Sequence, residues 1–288
     1  TALITGDNAT VTLVFSEAVA SFSSAADITA DNGTLAAMSS ADNITWTGTF
    51  TPTANTEDAS NTLSLGTSYT DTAGNAGPAA TTANYEVETL APTVNSVAIS
   101  SASGVQNSLL NAGDNVSVTA TFSESVIVDN ASGTPTLTLV VGSDNRTSTY
   151  ASGSGSTPLV FQYTIQAGET DADGISIGAN TLALNSGTIR DAAGNNATIT
   201  YSSVSANTSY KVDNTAPSVD NFTLSDTALK AGDTATVTLR FSEAVASFAS
   251  GDDITVASGS GSLANMTSVD NVHWAGTLSP TTNTQDAA

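Results

Sequence analysis

Carboxylates and side-chain amides recur beside glycine in this chain, at spacings that suit capture of a hard cation through oxygen. The pentapeptides Asp71–Asn75 (DTAGN) and Asp191–Asn195 (DAAGN) each set a carboxylate four residues before an amide. The tripeptide Phe-Ser-Glu ends at Glu17, Glu124 and Glu243. Asp213 and Asn214 stand in VDNTAP, and Glu88 with Thr89 replaces that pair in VETLAP. A further acidic group comprises Asp114 in NAGDN and Glu169, Asp171 and Asp173 in AGETDADG. Calcium takes about six to eight oxygens, more than any one of these loops supplies; a linker joined by one or two loops would supply them. Acids and amides in turns also cap backbone N–H groups, and that reading stands beside the cation reading for each residue. The DADG stretch lacks the downstream ligands of a helix–loop–helix calcium site.

Other chemistries find little support. The chain has 27 acidic and 5 basic residues, a net charge of −22, which disfavours nucleic acid as a partner because phosphate contacts need clustered Lys and Arg. It has no cysteine, so disulfides and thiolate metal sites are excluded, and no apolar run approaches a membrane span. A catalytic nucleophile needs a base within reach, and the chain offers one histidine, His273, and two lysines, Lys211 and Lys230. The paired carboxylates fall at module joints with no evident apolar pocket to shift their acidity. Crosslinks between Lys and Asn would need a buried lysine in each module, and the first has none. Trp46 and Trp274 are core anchors by the phase of their strands, with a carbohydrate platform as the alternative.

The elements that must position these residues are strands. Ala, Ser, Thr, Asn and Gly dominate, and the apolar positions alternate: Val11, Leu13 and Phe15; Val116, Val118, Ala120 and Phe122; Val237, Leu239 and Phe241. Ile44, Trp46, Gly48 and Phe50 form another inward row. The chain also repeats itself. TALITGDNATVTLVFSEAVASF from Thr1 returns from Thr227 as TALKAGDTATVTLRFSEAVASF, and Trp46 is matched 228 residues later by Trp274. Pro92 and Pro217, each after alanine, open similar strands, where a missing N–H costs no ladder bond. Three modules follow: 1–91, 92–216 and 217–288, the first short and missing its opening strand, the second long, the third short and stopping before its last strands. The fold expected is all-β, with tandem immunoglobulin-like β-sandwiches arranged end to end without disulfides. The parent polypeptide is expected to continue both ways, or else strands from adjoining subunits complete the terminal modules in a head-to-tail filament.

FSEAV, DTAGN with DAAGN, and VDNTAP, in this order and recurrence, resemble the bacterial immunoglobulin-like repeats of giant surface adhesins and biofilm-associated proteins, including RTX-type ones. The resemblance covers nearly the whole chain and implies an extracellular extender region with calcium between domains. Sandwich geometry gathers acids at the same poles. Asp213, Asn214 and Glu243 meet at the third module; Glu124, Asp191, Asn195 and Glu88 at the second; Glu17, Asp71 and Asn75 at the first. Asp114, Asp171 and Asp173 lie at the far pole of the second module. The function expected is a structural filament segment at the bacterial cell surface, not an enzyme, whose partners are neighbouring repeats or head-to-tail copies. Any surface or matrix ligand would bind through other domains. The alternatives are an adhesive or carbohydrate-binding module, or an accessory region of a secreted enzyme.

Overall fold

A computed structural model describes residues 2–282. Strands dominate, and the only helices among the described residues are single turns at Ser24–Asp27 and Ser250–Asp253. The chain divides into two compact units, Thr1–Asn214 and Thr215–Ala288. The first unit contains two separate apolar cores.

In residues 1–91 the strand Ala9–Val14 pairs antiparallel with Thr45–Pro52, setting Leu13 opposite Trp46 and Val11 opposite Gly48. The strand Gly33–Leu35 extends this sheet along Thr45–Pro52. Facing it, Ile28–Ala30 pairs with Leu63–Leu65, which pairs in turn with Ala80–Thr81. Side chains alternate across the pleat, so one face of each strand is buried between the layers. That interior holds Phe22, Met38, Leu65 and Tyr69, with Val11, Leu13 and Trp46 packed against them. The Phe22 and Trp46 rings meet edge to face at 4.9 Å and 70°, an arrangement that favours burial over a sugar platform. Tyr69 covers the same cluster and donates its hydroxyl hydrogen to the Pro78 carbonyl at 2.9 Å.

Residues 92–214 form a larger sheet around the 15-residue strand Asn115–Asp129. Its first part pairs with Val94–Ser103 on one side and Ser156–Thr164 on the other. After an irregularity between Thr121 and Val126, its end pairs with Thr188–Arg190 instead. A bulge of this kind bends a strand and re-aims its side chains, and Glu124 lies inside it. Val116, Val118 and Ala120 are fully buried, as their alternation requires.

The second unit repeats the first sheet in the same register. Val219–Leu224 pairs with Ala235–Phe241, which pairs with His273–Pro280, placing Leu239 opposite Trp274 and Val237 opposite Gly276. The Phe248–Trp274 pair reproduces Phe22–Trp46, again at 4.9 Å and 70°. Gly276 is required where it stands: an added Cβ would lie 2.7 Å from Met266 Cγ and 2.9 Å from the Ala264 carbonyl. Gly48 is crowded in the same way by Met38 and Ala36.

Candidate functional site

The two Asp-x-Ala-Gly-Asn pentapeptides close on themselves. Asp191 Oδ1 accepts the backbone N–H groups of Gly194 at 2.6 Å and Asn195 at 2.8 Å, and its Oδ2 accepts the Asn195 side-chain amide at 2.8 Å. Asp71 does the same for the N–H groups of Ala73 and Asn75 and for the Asn75 amide. Glycine occupies the fourth place because the backbone turns left-handed there, with φ of +90° at Gly74 and +118° at Gly194. These bonds, the Asn75 amide foremost, hold the Asp71 carboxyl below its ordinary acidity range.

Asn195 does more than close its loop. It is 3% exposed; its amide donates to the Glu88 carbonyl at 2.8 Å, and its Oδ1 accepts the Thr5 N–H at 3.1 Å. Thr5 in turn donates its hydroxyl hydrogen to the Thr89 carbonyl at 3.1 Å. The buried Thr89 hydroxyl donates to the Thr53 carbonyl and accepts the Thr56 N–H. The linker between residues 1–91 and residues 92–214 is therefore held by neutral bonds from both sides.

Carboxylates crowd that linker, although the exposed Arg190 lies beside Ala91 and Asn195. The strands Glu57–Asn61 and Tyr85–Glu88 pair with Glu57 opposite Glu88. Like charges directly opposed across a ladder repel. Burial pushes the Glu88 carboxyl up, and the charges of Glu57, Asp191 and Glu86 push it further. Burial also raises Glu124, followed by the fields of Asp191, Glu88 and Glu57. Glu88, Glu124, Asp191 and Asn195 thus share one neighbourhood. Glu57 belongs there too but was not singled out from sequence, since only the register of its strand against Tyr85–Glu88 reveals it. Thr5 and Thr89 were likewise invisible as clamp residues.

At residues 213 and 214 the amide again works as a clip. Asn214 donates to the carbonyls of Gln166 at 3.1 Å and Glu169 at 2.8 Å, and its Oδ1 accepts the Ala112 N–H at 2.6 Å. Asp213 gives its backbone N–H to the Leu110 carbonyl at 2.9 Å. Nearby carboxylates have internal duties. Asp114 accepts the Asn111 N–H at 2.9 Å, and Asp171 accepts the N–H groups of Gly142 and Gly174, both at 2.7 Å. Glu169 is buried, paired with Arg146, and accepts the Tyr163 hydroxyl hydrogen. Asp173 is exposed. Glu243 belongs to the second unit, where its Oε1 is buried without a hydrogen-bond partner among the described residues.

Glu17, Asp71 and Asn75 line one cleft of about 180 Å³ together with Phe15, Tyr69 and Pro78. Among the described residues no three His, Cys, Asp or Glu side chains are gathered closely enough to hold a metal ion. No helix among them is long and apolar enough to cross a membrane.

A family model for bacterial Ig-like domains matches residues 1–87 and 213–288. No curated protein matches the chain. The matched stretches make up more than half of it, and the chain belongs to the bacterial Ig-like domain family. Residues 88–212, with the long bulged strand and the linker-clamping Asn195, lie outside the match.

Proposed function

We infer that this chain is a non-catalytic structural segment of an extracellular bacterial adhesin, and that calcium stiffens the joint between its first two modules. One observation carries the reading: a linker locked by the Asn195 amide runs through a neighbourhood of four carboxylates, those of Glu57, Glu88, Glu124 and Asp191. Repulsion among half-buried like charges costs free energy that an extender would not retain without a counterion. The donor chemistry suits a hard cation: carboxylate oxygens, with the Asn195 amide oxygen beside them. Glu124 and Glu88 are the carboxylates best able to serve as ligands: both Asp191 oxygens are committed to its own loop, whereas Glu88 accepts the Leu90 N–H through Oε1 alone. Calcium would neutralise the group and lower the pKa of both glutamates.

A calorimetric calcium titration of the full chain tests this, run beside the Glu88→Gln/Glu124→Gln double variant. The expected result is saturable uptake by the parent chain, weakened at least about tenfold in the variant. Equal uptake by both, or none by the parent, would remove calcium from this joint.

A further inference from the structure

Asn32 and Gly33 make up the one Asn-Gly pair in the chain, at the turn that enters the strand Gly33–Leu35. Packing dictates the glycine: an added Cβ would stand 2.0 Å from Phe50 Cζ, and the Phe50 ring is 2% exposed. Asn32 takes a left-handed φ of +46°, which asparagine tolerates better than most residues. The core therefore imposes a pair with a known chemical weakness. With no side chain shielding it, the Gly33 nitrogen can attack the Asn32 side-chain carbonyl carbon. Ammonia departs with the proton of that nitrogen and leaves a cyclic imide. Water then opens the imide to aspartate or isoaspartate, and no other reactant is needed.

The folded module ties the amide down. Asn32 Nδ2 donates to Asp58 Oδ2 at 2.8 Å and to Asn61 Oδ1 at 2.7 Å. Asn61 is 1% exposed and passes the tie on, its own amide donating to the carbonyls of Asp58 at 2.8 Å and Tyr85 at 3.1 Å. The Tyr85 hydroxyl returns to the turn by donating to the Asp31 carbonyl. One asparagine thus joins the turn to the paired strands Glu57–Asn61 and Tyr85–Glu88, the second of which runs into the linker at Thr89. The second unit offers a control. Gly261 pairs with Pro280 as Gly33 pairs with Pro52, yet Ser260 precedes it and has no amide to lose.

We propose that Asn32 is a site of spontaneous deamidation, held in check by the folded module and reacting when that module opens. Attack requires the amide to swing over the Gly33 nitrogen, and the two tethers prevent this until Glu57–Asn61 detaches. After conversion the module cannot close as before. The new carboxylate faces the Asp58 carboxylate and the Asn61 carbonyl oxygen with no proton to share, and Asn61 is too buried for water to replace the lost donor. The strand pair beside the linker is weakened, so an opening event leaves a permanent covalent mark.

The test incubates the full chain at mildly alkaline pH, folded and in urea, and follows conversion at Asn32 by peptide mass spectrometry with isoaspartate detection. Conversion should be at least about tenfold slower in the folded chain, because it tracks the open population. The Asn32→Asp chain, which carries one product, should melt at least about 4 °C below the parent. Parent chain converted in urea, then refolded, should show the same loss, a reading that does not depend on the variant folding during expression. Equal conversion rates in the folded and unfolded chain would overturn the proposal. So would converted chain that melts with the parent.

Discussion

The loops Asp71–Asn75 and Asp191–Asn195 differ at one residue, Thr72 against Ala192, and keep nearly the same internal hydrogen bonds. Their surroundings differ far more. Asn75 is exposed, whereas Asn195 is buried and spans 190 residues of sequence to reach the Thr5 N–H. The pole loop is therefore built by local instructions alone: an Asx-type carboxylate, a left-handed glycine and an amide that folds back. A neighbouring module adds burial and two further bonds to a loop already formed. A preformed loop loses little conformational entropy on engagement, so a joint of this design is stiff at small cost.

Removing the aspartates should separate the two loops most. Asp191→Ala leaves two backbone N–H groups and the Asn195 amide short of an acceptor in a buried setting, and should destabilise the first unit by about 3 kcal/mol. Asp71→Ala loosens an exposed loop and should leave the thermal midpoint nearly unchanged. Equal shifts in thermal unfolding would show that the joint adds nothing to the loop. The asparagines give a smaller contrast. Asn195→Ala should cost about 1–2 kcal/mol through its lost bond to the Glu88 carbonyl, against at most about 0.5 kcal/mol for Asn75→Ala. Urea unfolding of both variants checks this.

Much of this contrast was legible in the sequence and part of it was not. The repeat offset and strict alternation around Val11, Leu13 and Phe15 specified the strands and their inward faces. Asp-x-Ala-Gly-Asn announced a pole loop, because only glycine takes the left-handed turn cheaply. The clamp was not legible, since the Thr5 and Glu88 groups that Asn195 binds are backbone atoms, and a backbone atom leaves no trace in residue type. Glu57 was hidden for another reason: facing Glu88 is a consequence of register between two short strands. Arg146 could have been noticed as one of five basic residues, yet its burial partner Glu169 lies 23 positions away across the sheet. That pairing gives Glu169 a structural partner across the sheet.

Acidity sharpens the comparison in a third way. Glu88 and Glu124 have folded-state pKa values raised above the unfolded ones, so their ionised forms are disfavoured by folding. The resulting penalty is present at neutral pH and is relieved as pH falls through the folded values. Acidification from neutral into the upper carboxylate range should therefore tighten the Asn195 joint slightly in calcium-free buffer. Asp71 shifts the opposite way: its contribution is present above the unfolded value of 3.8 and is lost as pH falls below it. Protection of the Thr5 amide should rise as pH falls from neutral into the upper carboxylate range, while that of the Asn75 amide should hold there and fall only below 3.8; parallel behaviour would break the distinction between the two poles.

The most direct test of the calcium-stiffened joint is hydrogen exchange at the Thr5 amide, whose acceptor is Asn195 Oδ1. With calcium present, exchange there should slow at least about tenfold relative to chelated protein, while the Asn75 amide, bound within its own loop, should not respond. Identical Thr5 exchange with and without calcium would contradict the account.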